Sequence, residues 1–418
     1  MPEVPGAPGA PDTTPPLNLG EELLERFLTA GRTLDPGEAP RFAEQYTRAL
    51  GLGSAAVYLA DIQQHRLVAL AEGPDLPVDG TLAGWAFRTG TMRVAEDPDA
   101  GLVAWFPLTD GAERLGVLGL RTPSLDREAV RRCRLLTSVL AMVITSKRDT
   151  SDSYAHGTRS DTMSLPSEML RAFLPPRTVC TDRAISTAVL EPAYRLGGDA
   201  FEHSLADGVL HAAVLDAMGH DLASGLTAAL ALGACRNARR NGADLPDLVD
   251  TIDEALHAWF PDRFATGVFL RLDLATGTLH WANCGHPHPL LIRSGEVVPG
   301  ALDGPGELPL GLSHYTGAAR TVRTFSLKPG DRLLIYTDGV VDAKGANHEF
   351  FGLARFTDFV IRAAGAGETA PETLRRLMHA ILEHQDEGLT DDATIMMIEW
   401  QPLAPPLLDD TRPRASRW

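Results

Sequence analysis

The sequence predicts an α+β protein with two folded domains. Three observations carry that prediction. The chain has 418 residues, and single hydrophobic cores usually stop growing near about 250–300 residues. The first third reads as a run of strands closed by one long helix, the pattern of an antiparallel sheet with helices set to one side. The second half carries apolar strands that run into, or start just after, aspartates.

In chain order, residues 1–18 (MPEVPGAPGAPDTTPPLN) are Pro/Gly-rich and expected to be disordered. Residues 19–148 form the first domain. A helical repeat of Leu23, Leu24, Phe27 and Leu28 opens it. Strands are expected at Ala55–Leu59, Arg66–Ala71, Trp105–Leu108 and Leu115–Leu120, with a loop and short helix at Gly80–Gly90. Asp126 is a helix N-cap candidate, and the helix that follows reaches about Lys147. Its apolar positions Ala129, Cys133, Leu136, Leu140 and Val143 alternate by threes and fours. That stripe suits a homodimer paired through residues 126–147, and equally a helix packed on its own domain.

Residues 149–177 read as a polar linker with a short helix at Ser164–Phe173, stopped by Pro175–Pro176. The second domain spans 178–400, and residues 401–418 form a Pro-rich flexible tail.

Bulk composition narrows the function classes. Hydrophobic residues are 44% and charged residues 22%, an ordinary globular mix, and the formal net charge is −17. Such a surface repels phosphate backbones, so nucleic acid is not an expected partner. Cys133, Cys180, Cys235 and Cys284 show no paired spacing, as expected of thiols in a reducing cytoplasm. The most apolar stretch, Leu135–Ile144, is too short to span a bilayer, and the N-terminus has no signal-peptide pattern. The expected location is therefore cytoplasmic, without membrane partners.

The chemistry-bearing residues lie in the second domain. Val209–Leu215 runs into Asp216, Arg332–Thr337 runs into Asp338, and Asp391 and Asp392 immediately precede Ala393 and the strand Thr394–Trp400. If the last strand is antiparallel to the other two, these acids meet at one sheet end. Converging carboxylates repel, and a divalent cation relieves that repulsion. Oxygen-only donor sets select hard ions such as magnesium or manganese. Gly197–Gly198 before Asp199, Gly219 after Asp216 and Gly339 after Asp338 permit tight turns and close backbone approach.

The ordered set GGDAFE (Gly197–Glu202), DAMGH (Asp216–His220), TDG (Thr337–Gly339) and TDDAT (Thr390–Thr394) resembles the metal-dependent protein phosphatase (PPM, protein phosphatase 2C-like) family in its SpoIIE-type branch. ANCGHPHPLLI (Ala282–Ile292), LPLGL (Leu308–Leu312), LKPGDRLLIYTDGV (Leu327–Val340) and EFFG (Glu349–Gly352) extend the resemblance over Ser164–Trp400. It implies an αββα sandwich with a binuclear metal site holding two divalent ions, Mn2+ or Mg2+. It implies that Asp216 bridges both ions, that Asp199 holds metal directly or through water, that the Ala217 carbonyl is a ligand, and that Asp338 and Asp391 complete the ligand set of the second ion. Asp216 and Asp199 would carry the reaction, with Glu202, His220 and Asp392 in supporting positions. Glu202 stands where relatives usually have Asp, and Asp221 where they commonly have Gly. No histidine spacing supports a ligand pair, so His220, His286 and His288 are expected in structural or supporting roles.

The first domain resembles a GAF domain, through its strand order, GWAFRTG (Gly84–Gly90) and LGVLGL (Leu115–Leu120). That implies a small-molecule or protein signal there, or a plain dimerisation module. The combined expectation is a phosphoserine/phosphothreonine protein phosphatase acting on a phosphorylated anti-anti-sigma (STAS-domain) protein under N-terminal control. Two rivals remain: a catalytically silent partner-binding module of the same fold, and a GGDEF-type diguanylate cyclase. The cyclase is suggested by YRLGGDAFE alone, and it leaves TDG and TDDAT unexplained.

Overall fold

The computed structural model describes residues 22, 25, 29, 35–99, 101–148, 150–195, 197–315, 320–345, 348–385 and 391–400. The expected helix over Leu23–Leu28 and both terminal segments lie outside the described residues.

Helix α1 (Ala39–Ala49) leads into an antiparallel sheet of six strands: β1 (Ser54–Ala60), β2 (Arg66–Ala69), β3 (Leu76–Pro77), β4 (Arg93–Asp97), β5 (Gly101–Asp110) and β6 (Glu113–Thr122). Their order is β3-β2-β1-β6-β5-β4. Helix α2 (Leu82–Thr89) covers one face. There, Tyr58, Leu67, Val78, Phe87 and Val117 form a small core. Helix α3 (Arg127–Arg148) and α1 cover the other face, over Phe106, Leu108, Leu118 and Leu120. Asp126 caps α3 as expected, accepting the Ala129 N–H at 2.7 Å.

The stripe that would pair two chains is used within one chain. Ala129, Cys133, Leu136, Leu140 and Val143 are all buried against the sheet. The reason is register: at 3.6 residues per turn these positions form the face that the sheet must cover. Any pairing surface on α3 has to lie on its other side, where Leu135 and Met142 are exposed.

The expected linker contains a packed helix, α4 (Asp152–Thr158). Its Tyr154 is buried and donates to the Pro36 carbonyl at 2.8 Å. Helix α5 (Leu165–Arg171) follows, with Ser164 as its N-cap and Pro166 in the first turn.

The second domain holds two stacked antiparallel sheets. One comprises β9 (Asp199–Ala206), β10 (Val209–Ala217), β11 (Ala265–Asp273), β12 (Thr278–Cys284) and β15 (Arg323–Ser326), in the order β15-β12-β11-β10-β9. The other comprises β7 (Thr178–Cys180), β8 (Ala184–Glu191), β13 (Leu290–Arg293), β14 (Glu296–Val297), β16 (Arg332–Tyr336) and β17 (Ala393–Trp400), in the order β14-β13-β16-β17-β8-β7. Strand alternation sorts the side chains. Met396 and Ile398 of β17 meet Ala212 and Val214 of β10 in the layer between the sheets. Ile395 and Met397 point outward.

Helices α6 (Leu222–Arg240) and α7 (Leu245–Trp259) cover the first sheet, with Cys235, Leu248 and Ile252 buried on it. The short α8 (Asp338–Val341) follows β16. Helices α9 (Gly352–Gly365) and α10 (Ala370–His384) cover the second sheet through Phe356, Leu374 and Ile381. The result is the helix–sheet–sheet–helix sandwich anticipated from the motifs. Among the described residues, no helix is long and apolar enough to cross a membrane.

The two domains meet through buried charge. Arg114 of β6 donates to Glu372 Oε2 of α10 at 2.7 Å, to the Pro371 carbonyl at 3.0 Å and to Gln64 Oε1 at 2.9 Å. Arg375, one turn along α10, bonds both Glu372 and Asp79 at 2.9 Å. Gln63 donates to Glu191 at the end of β8 at 3.0 Å. The β1–β2 turn thus grips the helix that packs on β8 and β17.

Candidate metal centre

Asp199 begins β9 and Asp216 lies near the end of β10, and the two are direct cross-strand partners. Equal register on adjacent strands puts both carboxylates on one face, toward the layer between the sheets. From the opposite sheet, β16 delivers Thr337 and then Asp338 at the start of α8. β17 is antiparallel to β16, so Asp391 and Asp392 arrive at the same end. The strand-polarity condition set by the sequence is met.

The local electrostatics reflect this convergence. Burial pushes the Asp216 carboxyl up to about 7, with the charges of Asp338, Asp391 and Asp392 adding to the effect. Asp199 is raised well above the carboxylate range by burial, then by Asp216 and Asp392. Asp338 is raised by burial and by Asp391 and Asp342. Carboxylates brought together under burial in this way repel one another, and a bound cation would offset that repulsion. The donor set is entirely oxygen, which fits a hard divalent ion. Among the described residues, however, no three acid, histidine or cysteine side chains are closed around one common point. The acids line a cleft; they do not form a finished cage.

Hydrogen bonds separate the roles of the acids. Asp199 is 2% exposed, and its Oδ2 accepts from Thr337 Oγ1 at 2.8 Å and from Thr394 Oγ1 at 2.7 Å. One oxygen is therefore fixed by two hydroxyls from the facing sheet. Asp392 is buried and accepts the backbone N–H groups of Gly197 at 2.6 Å and Asp199 at 3.2 Å. Burial lifts its carboxyl to about 6, against the lowering effect of those amides. Asp391 is exposed, and its Oδ1 accepts the Asp392 N–H at 2.9 Å.

Two glycines make these approaches sterically possible. A Cβ on Gly198 would stand 2.0 Å from the Ala217 carbonyl oxygen, and one on Gly339 would stand 2.0 Å from the Asp392 carbonyl oxygen. The first places the Ala217 carbonyl hard against the turn that leads into Asp199. The second locks α8 onto the 391–392 turn.

The supporting residues divide. Glu202 is three positions after Asp199, hence on the opposite face of β9. It lies under α6, paired with Arg236 at 2.5 Å and Arg239 at 3.0 Å. The expectation that Glu202 supports the metal is corrected by that placement: its longer side chain serves the sheet–helix contact. Asp221 N-caps α6 by accepting the Ser224 N–H at 2.9 Å, and it pairs with Arg263 at 3.2 Å. Arg263 also donates to the Met218 carbonyl at 3.2 Å, tying down the loop after Asp216. His220 is exposed, and its Cα backs Gly197. His288 is partly buried in the loop before β13, outside the acid cluster.

His286, expected in a structural or supporting role, packs against the strand that pairs with Asp216. It is buried, and its Nδ1 meets Thr266 Oγ1 at 2.8 Å. Thr266 is the β11 cross-strand partner of Asp216. Burial lowers the imidazole to about 4, so it is neutral. Asn283 clamps its backbone with two 2.8 Å bonds. The only sequence signal was its place in CGHPHP.

Cysteine chemistry is absent from this cleft. Burial pushes Cys133, Cys235 and Cys284 up to about 12, so these thiols stay protonated. Cys180 lies at the junction between the domains, its sulfur accepting the Ala112 N–H at 3.1 Å.

Residues 206–401 match the family model for stage II sporulation protein E (SpoIIE). The chain is 24% identical over 193 residues to the phosphoserine phosphatase RsbP of Bacillus subtilis, covering 44% of each protein. It is 29% identical over 136 residues to protein IcfG of Synechocystis, covering 32% of this chain and 20% of that one. The chain therefore spans less than half the length of either relative. Among solved structures, the SiaA-PP2C domain of Pseudomonas aeruginosa aligns at 22% identity and a TM-score of 0.48, covering 62% of this chain and 99% of that one.

Proposed function

From the match of residues 206–401 to the SpoIIE family model, we propose that this chain is a metal-dependent protein phosphatase of the PP2C type acting on phosphoserine or phosphothreonine. The observation that carries the proposal is the meeting of Asp199, Asp216, Asp338 and Asp391, drawn from both sheets, at one end of the sandwich. Phosphoester hydrolysis needs positive charge against the phosphoryl oxygens, and carboxylates converging from two sheets are suited to gather it.

Asp216 and Asp199 would hold two divalent cations, Mn2+ or Mg2+, with the Ala217 carbonyl, Asp338 and Asp391 completing the set. When bound, such ions draw charge from the phosphoryl oxygens and make a water molecule more acidic. The chain's own contribution is order. Thr337 and Thr394 fix one Asp199 oxygen and leave the other for the cleft. Asp392 holds the Gly197–Asp199 turn by its amides, acting as a positioning residue. Neutral His286 supports Thr266 beside Asp216. With three thiols held protonated by burial, the reading requires no protein nucleophile.

The substrate in this reading is a phosphorylated STAS-domain protein. The support is the likeness to RsbP, whose name records a phosphoserine phosphatase. Control by the N-terminal domain is part of the same proposal. Its support is the buried contact of Arg114 and Gln64 with α10, which packs on β8 and β17.

The test is phosphate release from a serine-phosphorylated STAS-domain protein and from p-nitrophenyl phosphate, with Mn2+, with Mg2+ and with a chelator. The proposal expects metal-dependent release from both. A folded protein that releases phosphate from neither substrate with either metal overturns it.

A further inference from the structure

Large apolar side chains left in water on a folded chain gather where something covers them. Among the described residues, eleven such side chains are exposed, and five of them, Leu165, Met218, Leu222, Trp259 and Tyr315, sit on segments tied by contacts to the loop and helix that follow Asp216. Met218 follows Asp216 by two residues, and its N–H bonds the Phe264 carbonyl at 3.1 Å. Leu222 opens α6, directly after the Asp221 that pairs with Arg263. Leu165 opens α5. Pro166, its neighbour, lies beside Gly225 of α6, which also faces the Gly197 carbonyl.

Two aromatics are connected to the same loop. Trp259 ends α7 and is 75% exposed. It is followed by the turn Phe260–Arg263, whose Arg263 reaches the Met218 carbonyl at 3.2 Å. Tyr315 is 74% exposed. Its ring lies tilted against His314, centroids 4.1 Å apart, and His314 in turn lies tilted against His257 of α7 at 4.1 Å. The loop that carries them is anchored from below. Buried Asp253 of α7 accepts the Gly311 N–H at 2.6 Å, the Arg320 guanidinium at 2.9 Å and the Ser313 hydroxyl. Leu310 of the same loop pairs with Ala265, the residue opposite Ala217. Tyr315 is thus carried on an anchored loop, and Trp259 ends the helix that anchors it.

We propose that Trp259 and Tyr315, with Met218 and Leu222, form the docking surface for the protein that carries the phosphoryl group. This rests on the phosphatase reading above and deepens it. Whatever delivers a phosphoester to Asp216 must approach the loop and helix that follow it, which identifies the occupant. A small phosphoester would leave Trp259 and Tyr315 uncovered. A folded protein with an apolar patch beside its phosphorylated residue would bury them, and Trp and Tyr are the side chains that most often dominate such contacts.

The experiment compares wild type with the double variant Trp259→Ser/Tyr315→Ser on two substrates with Mn2+: a serine-phosphorylated STAS-domain protein and p-nitrophenyl phosphate. Both residues are exposed, so the p-nitrophenyl phosphate rate also serves as the folding control. The proposal expects KM for the phosphoprotein to rise about tenfold or more, with kcat/KM for p-nitrophenyl phosphate unchanged within about twofold. Equal effects on both substrates, or on neither, overturn the docking surface while leaving the phosphatase reading intact. Wild-type turnover of p-nitrophenyl phosphate but not of the phosphoprotein also overturns it. Wild-type silence on both substrates sinks the phosphatase reading, and the docking surface with it.

Discussion

The Asp392 carboxylate accepts the Gly197 N–H at 2.6 Å, bridging the last strand to the turn before Asp199 across nearly half the chain. Neighbouring acids in one TDDAT segment therefore differ: Asp391 is exposed, with its charge acting on Asp216 and Asp338, while Asp392 holds backbone. Asp392→Ala should raise the Mn2+ concentration for half-maximal activity by about 10–100-fold, the usual cost of losing a group that orients metal ligands. Asp392→Asn, which retains an acceptor oxygen, should fall between. Metal titrations of p-nitrophenyl phosphate hydrolysis check this, and an unchanged metal requirement in Asp392→Ala contradicts it.

Gly198→Ala tests the close approach of two loops. Its Cβ would meet the Ala217 carbonyl oxygen at 2.0 Å, backbone that cannot rotate aside. The expected cost is about 1–3 kcal/mol of stability, with a larger loss of activity because Ala217 and Asp199 are pushed apart. Thermal unfolding and turnover, measured together, decide whether the damage centres on the site.

At the domain junction, Glu372 balances Arg114 at 2.7 Å and Arg375 at 2.9 Å, and both guanidiniums are buried. Glu372→Ala leaves buried positive charge unpaired and should destabilise the protein by about 3–5 kcal/mol. The double variant Arg114→Met/Glu372→Met should recover much of that loss. Urea unfolding of the three proteins is the measurement.

His379 contributes to the pH dependence of stability, alongside other buried imidazoles such as His286. Burial holds His379 down at about 4, with the Arg375 and His65 charges acting in the same direction and Asp79 against them. Its Nε2 meets the Gln63 carbonyl at 3.0 Å, as a neutral imidazole donor would. A folded-state value below the unfolded 6.5 means that the unfolded chain takes up the proton first. Stability is therefore full above about pH 6.5 and lost as pH falls toward 4, by about 1–2 kcal/mol at pH 5. His379→Gln should reduce the difference in unfolding midpoint between pH 7.5 and pH 5 by its own share, leaving that of the other histidines lowered by burial. An equal slope in both proteins contradicts this.

Much of the site was legible because strands and acids share a simple grammar. The runs into Asp216 and Asp338, and the strand just after Asp391 and Asp392, were marked by apolar periodicity, and antiparallel pairing did the rest. Glu202 was misread because adjacency in GGDAFE hides the strand's alternation, which sends Asp199 and Glu202 to opposite faces. Helix α1 was missed because its stripe of Ala39, Ala43 and Tyr46 uses small and polar residues. The junction was invisible for a different reason. Glu372 and Arg375 look like a solvated helix face until Arg114, more than 250 residues away, is brought against them.

The claim on which the account turns is that these separated carboxylates share divalent cations. Calorimetric titration of the metal-free protein with Mn2+, beside Asp216→Asn, tests it most directly. The account predicts saturation near about two ions per chain in the wild type and a loss of at least the tighter-binding ion in Asp216→Asn, which should remain folded. Binding by Asp216→Asn with wild-type stoichiometry and affinity would contradict it.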